Sequence, residues 1–192
     1  DDAPAALARP TGLDAAALAA LPPYHFRGAV VRTPELGGVG FHLLGGDVEV
    51  EGTPLDDAEL EERRIEAGTP RYGVDMGEDR LPIEAGITDA VSFDKGCYLG
   101  QEVIARATNL GHINRRLVGL VVDGDAPATA GAKLSSPAKP DAVWITSSAR
   151  SRSGGKTLAL GYVHRTLWDP GTQLTVDDVR RATVVALPFS DR

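Results

Sequence analysis

The sequence predicts an α+β protein that ends in a small antiparallel β-barrel, and three observations carry that expectation. Up to Arg116, capped helical stretches alternate with short apolar runs. From Leu117 onward only short strand-like runs remain, separated by Gly, Pro, Ser and Asp turns, the habit of a small barrel or sandwich. The length of 192 residues and apolar share of 42% suffice for one large or two small domains with a real core. A boundary is therefore placed at 116/117, with 1–116 an α+β region made of parts of two domains and 117–192 the barrel.

In chain order, the Ala/Pro-rich Asp1 to Pro10 reads as a strand end or loop, and without an initiator Met the chain is expected to start late. Asp14 caps a short helix through Ala15, Leu18 and Leu21, which Pro22-Pro23 stops. Tyr24 to Arg32 and Gly40 to Leu44 read as two strands joined by the turn-rich Thr33 to Gly38. Gly45-Gly46 opens an acidic loop reaching Asp57. Thr53-Pro54 signals a helix start and Gly68 its stop, with charges mostly on a solvated face. Pro70 to Glu84, broken by Gly and Pro, suits a binding loop or a plain connector. Ile87 to Phe93 reads as a short strand, Gln101 to Ala107 as a short helix, and Thr108 to His112 as a turn. Strands follow at Leu117 to Val122, Val143 to Ser147, Leu158 to His164, Gln173 to Val176 and Ala182 to Leu187.

A formal net charge of −7 argues against coating nucleic acid or an anionic membrane, while leaving room for a local basic pocket. There is neither an apolar run of roughly 18 residues nor a charged-then-apolar leader, so no membrane span or signal peptide is indicated and a cytoplasmic location is the default. The single cysteine can form no intrachain disulfide, nor can it alone supply the thiolates of an iron-sulfur cluster.

That cysteine lies in Phe93-Asp94-Lys95-Gly96-Cys97-Tyr98-Leu99-Gly100-Gln101-Glu102, the most chemically concentrated stretch. In an extended segment Lys95 and Cys97 leave the backbone on one side, where the ammonium favours the thiolate, and the positive end of the following helix adds to the pull. A buried structural cysteine beside a turn is the alternative. Glu66, one residue before the Ala67-Gly68 helix end, sits where the dipole disfavours an acid and is either a ligand contact or a fraying surface carboxylate. Ser153-Gly154-Gly155-Lys156-Thr157 lacks the earlier glycine of a phosphate loop, Arg150 standing there, and reads as a hairpin turn. His25, His42, His112 and His164 lack metal-ligand spacing, so no metal site is expected. No nucleophile elbow, dinucleotide fingerprint or Cys-x-x-Cys occurs.

Lys95-Gly96-Cys97-Tyr98-x-Gly100-Gln101-Glu102, followed by Val103-Ile104-Ala105-Arg106, resembles the signature of the YgfZ-type folate-binding proteins. These are relatives of the glycine-cleavage T-protein (aminomethyltransferase), connected with tRNA modification and with maintaining iron-sulfur enzymes. Arg64-Ile65-Glu66-Ala67-Gly68-x-Pro70, Leu81-Pro82-Ile83-Glu84 and Gly161-Tyr162-Val163 resemble further segments of that superfamily. The resemblance implies T-protein-like domains in a ring around a reduced folate, with the N-terminal part missing upstream of Asp1. It implies that Glu66 faces the pteridine, whose N–H and amino group suit a carboxylate. Tyr72 and Glu84 would add contacts from the 70–84 segment, Gln101 and Glu102 would fix the motif loop, and Arg106, Arg115 or Arg116 would meet the glutamyl tail. Lys95 and Cys97 would form the reactive pair. The implied cofactor is tetrahydrofolate or a derivative, and the implied partners are iron-sulfur enzymes or their assembly proteins, without direct nucleic-acid contact. The T-protein's first-domain aspartate has no counterpart here, and T-proteins lack the Lys-Gly-Cys, which points away from glycine cleavage. A folate-dependent one-carbon transferase (aminomethyltransferase or demethylase) and a non-catalytic binding or scaffold protein are the alternatives.

Overall fold

The computed structural model describes residues 2–45, 48–109, 113–136, 139–152, 155–176 and 180–189. They divide into two compact units, Asp1–Ala67 and Gly68–Arg192.

The first unit opens with a helix, α1 (Ala3–Thr11), where the sequence suggested a strand end or loop. The Asp2 carboxylate accepts the Ala5 N–H at 3.1 Å, and alanine-rich composition with Pro4 in the first turn, where no intrahelical donor is lost, outweighs the loop signal. Helix α2 (Ala15–Ala19) starts as expected, with Asp14 accepting the Ala17 N–H at 2.8 Å. Strands β1 (Phe26–Arg27), β2 (Val30–Thr33) and β3 (Gly40–Leu43) make an antiparallel sheet in that order. The single strand expected over 24–32 is thus two, because Gly28, at φ 59°, reverses the chain where a side chain would resist. Leu7, Leu18 and Val30 form the core here, with Leu13, Phe41 and Leu43 packed against it. Helix α3 (Asp57–Glu66) begins after Asp56 rather than at Thr53-Pro54. Asp56 accepts the Glu59 N–H at 2.8 Å while Glu59 accepts the Asp56 N–H at 3.2 Å, a reciprocal cap stronger than the Thr-Pro signal.

The second unit holds a six-stranded antiparallel barrel: β4 (Arg115–Asp123), β5 (Lys133–Ser136), β6 (Lys139–Arg150), β7 (Lys156–His164), β8 (Gln173–Val176) and β9 (Arg180–Val185). The order is β4-β7-β6-β5-β8-β9, and β4 pairs with both β7 and β9. Val118, Leu120 and Val122 of β4 alternate into the interior, where they join Val143, Ile145, Val163, Leu174 and Val184. Strand β5 escaped the sequence reading because Lys133-Leu134-Ser135-Ser136 offers a single apolar residue.

The second unit also takes in the described residues 68–109 and 113–114 ahead of β4, whose onset lies beside the placed boundary. The reason is local stitching: the Leu117 N–H donates to the Glu84 carbonyl at 2.7 Å, and Asp75 bonds to β6. The strand expected over 87–93 is instead a 3-10 turn (Thr88–Ala90) followed by bends, whereas α4 (Gln101–Asn109) forms where expected. The 45–57 loop, the 108–112 turn and the 153–157 hairpin turn fall partly outside the described residues, as does His112.

Candidate functional site

The motif loop runs into α4. Phe93 to Gly96 bends instead of extending, so the alternation that would align Lys95 with Cys97 does not apply. The Lys95 N–H donates to Ser92 Oγ at 3.2 Å, and its ammonium lies over the Tyr98 ring, 4.7 Å from the centroid. Cys97 is exposed rather than buried, which removes the reading of it as a core cysteine. Lys95 and Tyr98 line a groove of about 470 Å³ together with Leu81, Pro82, Val91 and Val103. Leu99, which also lines the groove, is fully exposed, as in large part is Phe93 at the start of the motif. Within α4, Arg106 donates to Glu102 at 2.6 Å one turn away, so the two charges answer each other at the surface. Gln101 is half-buried at the start of the helix.

A second cluster lies on the outer face of the barrel. Leu117 pairs with Tyr162, and Tyr162 with Trp144, so these residues and Arg115, two places before Leu117, share one side of the sheet. The Arg115 guanidinium lies 4.5 Å from the Trp144 ring centre, while Arg80 lies 4.6 Å from the same ring and 5.0 Å from that of Tyr162. Among the described residues Arg115 makes no ion pair, whereas Arg80 approaches Asp79 at 3.3 Å. Tyr162 is buried with its hydroxyl unpartnered by protein, and burial pushes the phenol up to about 12, with Glu84, Asp75 and Asp79 adding to the rise and Arg80 opposing it. Arg116, next along β4, points to the opposite side: it covers Trp168 at 4.6 Å and donates to that residue's carbonyl at 3.3 Å.

The remaining expected contacts are dispersed. The Glu84 carboxylate accepts the Leu81 N–H at 3.1 Å, closing a local turn. Tyr72 is 66% exposed in a tight loop, and Glu66 ends α3 half-buried in the first unit. Sequence reasoning missed Arg80, Asp75, Trp144 and Trp168; the usable signal was that the chain has only two tryptophans, each of which ends beneath an arginine. Among the described residues no group of three His, Cys, Asp or Glu side chains is placed to hold a metal ion, and no helix is long and apolar enough to cross a membrane.

The barrel described above has counterparts among known proteins. Residues 115–191 match the family described as the glycine cleavage T-protein C-terminal barrel domain. An aminomethyltransferase of Rippkaea orientalis is 31% identical over 187 residues, covering 86% of this chain and 50% of that protein. One of Streptomyces avermitilis is 35% identical over 136 residues, covering 67% and 36%. The crystal structure of the glycine cleavage system aminomethyltransferase T from Bartonella henselae superposes with a TM-score of 0.61 at 27% identity, over 67% of this chain and 37% of that one. The chain thus has a T-protein-like fold, and these likenesses support the T-protein superfamily for it. It spans about a third to a half of the length of these relatives.

Proposed function

We propose that this chain belongs to a folate-binding protein of the YgfZ type, one that supports the assembly or maintenance of iron-sulfur enzymes through a surface cysteine. The observation that carries the reading is the motif loop: Lys95-Gly96-Cys97-Tyr98 precedes a T-protein-type barrel and holds its thiol exposed, where a partner protein can reach it.

The residues that the resemblance assigns to a reduced folate carry suitable groups, each taken within its own unit. Glu66 offers a carboxylate for the pteridine's N–H and amino group. Tyr72 offers an exposed ring edge, and Arg115, with no ion pair among the described residues, offers a planar fork to a tail carboxylate. Arg106 and Arg116 are engaged, by Glu102 and by Trp168, and serve that role less readily. Glu84, Gln101 and Glu102 act by shaping the two loops. When bound, the folate would supply a one-carbon carrier, and the chain's part is to hold and orient it.

The test is calorimetric titration of the whole protein with tetrahydrofolate, with and without Glu66→Ala. Unchanged affinity in the variant removes the pteridine role. Rescue of iron-sulfur enzyme activity in cells lacking the gene by wild type, and not by Cys97→Ala, supports the maintenance role; equal rescue removes it. Lys95, whose ammonium lies over the Tyr98 ring, is tested separately: a Cys97 alkylation rate unaltered by Lys95→Ala removes it from the reactive pair.

A second reading, a folate-dependent one-carbon transferase, is favoured by the aminomethyltransferase names of the relatives. Methyl or aminomethyl transfer by the purified protein, insensitive to Cys97→Ala, would select it.

A further inference from the structure

The Pro70–Glu84 segment contains a carboxylate that neither the motif nor the folate reading uses. Asp75 is 2% exposed and lies on the outer face of the barrel. Its Oδ1 accepts the hydroxyls of Thr146 at 2.5 Å and Ser147 at 2.6 Å, and its Oδ2 accepts the Arg71 N–H at 2.9 Å. Two consecutive strand residues reach the same carboxylate because the β6–β7 register shifts between Ile145 and Ser147, leaving Thr146 as the extra residue of a bulge. A regular strand would have sent one of the two hydroxyls to the other face.

The carboxylate closes a loop that is already tight. The Asp75 N–H donates to the Arg71 carbonyl at 2.8 Å, and the Gly73 N–H donates to the Met76 carbonyl at 2.8 Å. On this pinned loop Tyr72 is 66% and Val74 42% exposed. A large exposed aromatic is ordinarily free to move with its loop; here the backbone beneath it is tied by a buried carboxylate to the β6 bulge of the barrel.

We propose that Asp75 is a positioning residue: by clamping the 71–76 loop to the β6 bulge it presents Tyr72 at a fixed place as one wall of the ligand site. The inference rests on the folate reading for the identity of the ligand, and on the hydrogen bonds alone for the clamp. Preorganisation of this kind raises affinity by removing the ordering cost from the binding step.

Asp75→Asn is the discriminating variant, since Asn keeps an oxygen for the two hydroxyls but turns an N–H₂ toward the Arg71 N–H. In the whole protein, tetrahydrofolate affinity is expected to fall roughly tenfold, the scale of one lost charge-assisted hydrogen bond. In the Tyr72→Ala background the same change is expected to cost nothing further, because the clamp acts through Tyr72. Multiplying losses, or an unaltered affinity in Asp75→Asn, overturn the proposal. Hydrogen exchange reads the clamp independently: amide protection at Gly73 and Asp75 should drop in Asp75→Asn and partly in Ser147→Ala, by more than barrel amides lose through the global fall in stability. Retained loop protection overturns the proposal too. Wild-type protein that shows no folate affinity while the loop amides respond would instead sink the folate reading and leave the clamp standing.

Discussion

The Ser147 hydroxyl donates to the Asp75 carboxylate at 2.6 Å across 72 residues of sequence, in a place closed to solvent. A buried carboxylate is tolerated only when its oxygens are occupied. Thr146→Val and Ser147→Ala are each expected to lower the stability of the barrel unit by about 1.5 to 3 kcal/mol, and Asp75→Ala, which removes the acceptor shared by two hydroxyls and the Arg71 N–H, by at least as much. Urea denaturation measures the difference.

Gly161 sits in β7 where an added Cβ would lie 2.8 Å from the Trp144 carbonyl oxygen and 3.1 Å from Leu120 Cδ1. Because the first neighbour is backbone of the adjacent strand, Gly161→Ala is expected to destabilise by about 2 to 3 kcal/mol. Gly96→Ala is the control: no atom lies within 4 Å of its Cβ position and its φ is not positive, so its midpoint should stay within about 0.5 kcal/mol of wild type. Functional loss in Gly96→Ala would then report on the motif rather than on folding.

The raised phenol of Tyr162 makes stability depend on alkaline pH. Burial lifts its pKa from 10.0 to about 12, so the folded state keeps a proton that the unfolded chain releases. The stabilisation is complete below about pH 10 and is lost as pH rises toward about 12, a fall of about 2 to 3 kcal/mol. Tyr162→Phe should abolish that contribution to the slope. Below pH 10 it should match or exceed wild type, since it deletes a buried hydroxyl without a protein partner. Thermal melts from pH 8 to pH 11 read both effects.

Glu102 and Arg106 form an exposed pair one helical turn apart. Glu102→Gln is expected to change stability by no more than about 0.5 kcal/mol, and less in high salt. A larger loss on thermal melting would mean that Glu102 bears on more than α4.

Cys97, being exposed, should react with a maleimide in the native protein without denaturant, to one equivalent. Labelling that requires urea would show the motif loop folded over its thiol.

Local chemistry was enough wherever neighbouring residues determine the outcome. Asp14 capping Ala17, the turn between β2 and β3, Gly100 leading into α4 and the alternating run after Arg116 were all legible, because caps, turns and alternation involve residues only a few places apart. Where two local signals competed, the stronger decided the result: Asp56 with Glu59 overrode Thr53-Pro54, and Ala-rich α1 overrode its prolines.

Helix caps, the strand alternation of the barrel and the motif that resembles the YgfZ-type signature could all be read along the chain. Strand pairing was needed to show that Arg115 and Arg116 part to different tryptophans and that Asp75 meets Thr146 and Ser147. The physical reason is that those contacts depend on strand register and on a one-residue bulge, which shift which face a side chain occupies without altering any local propensity.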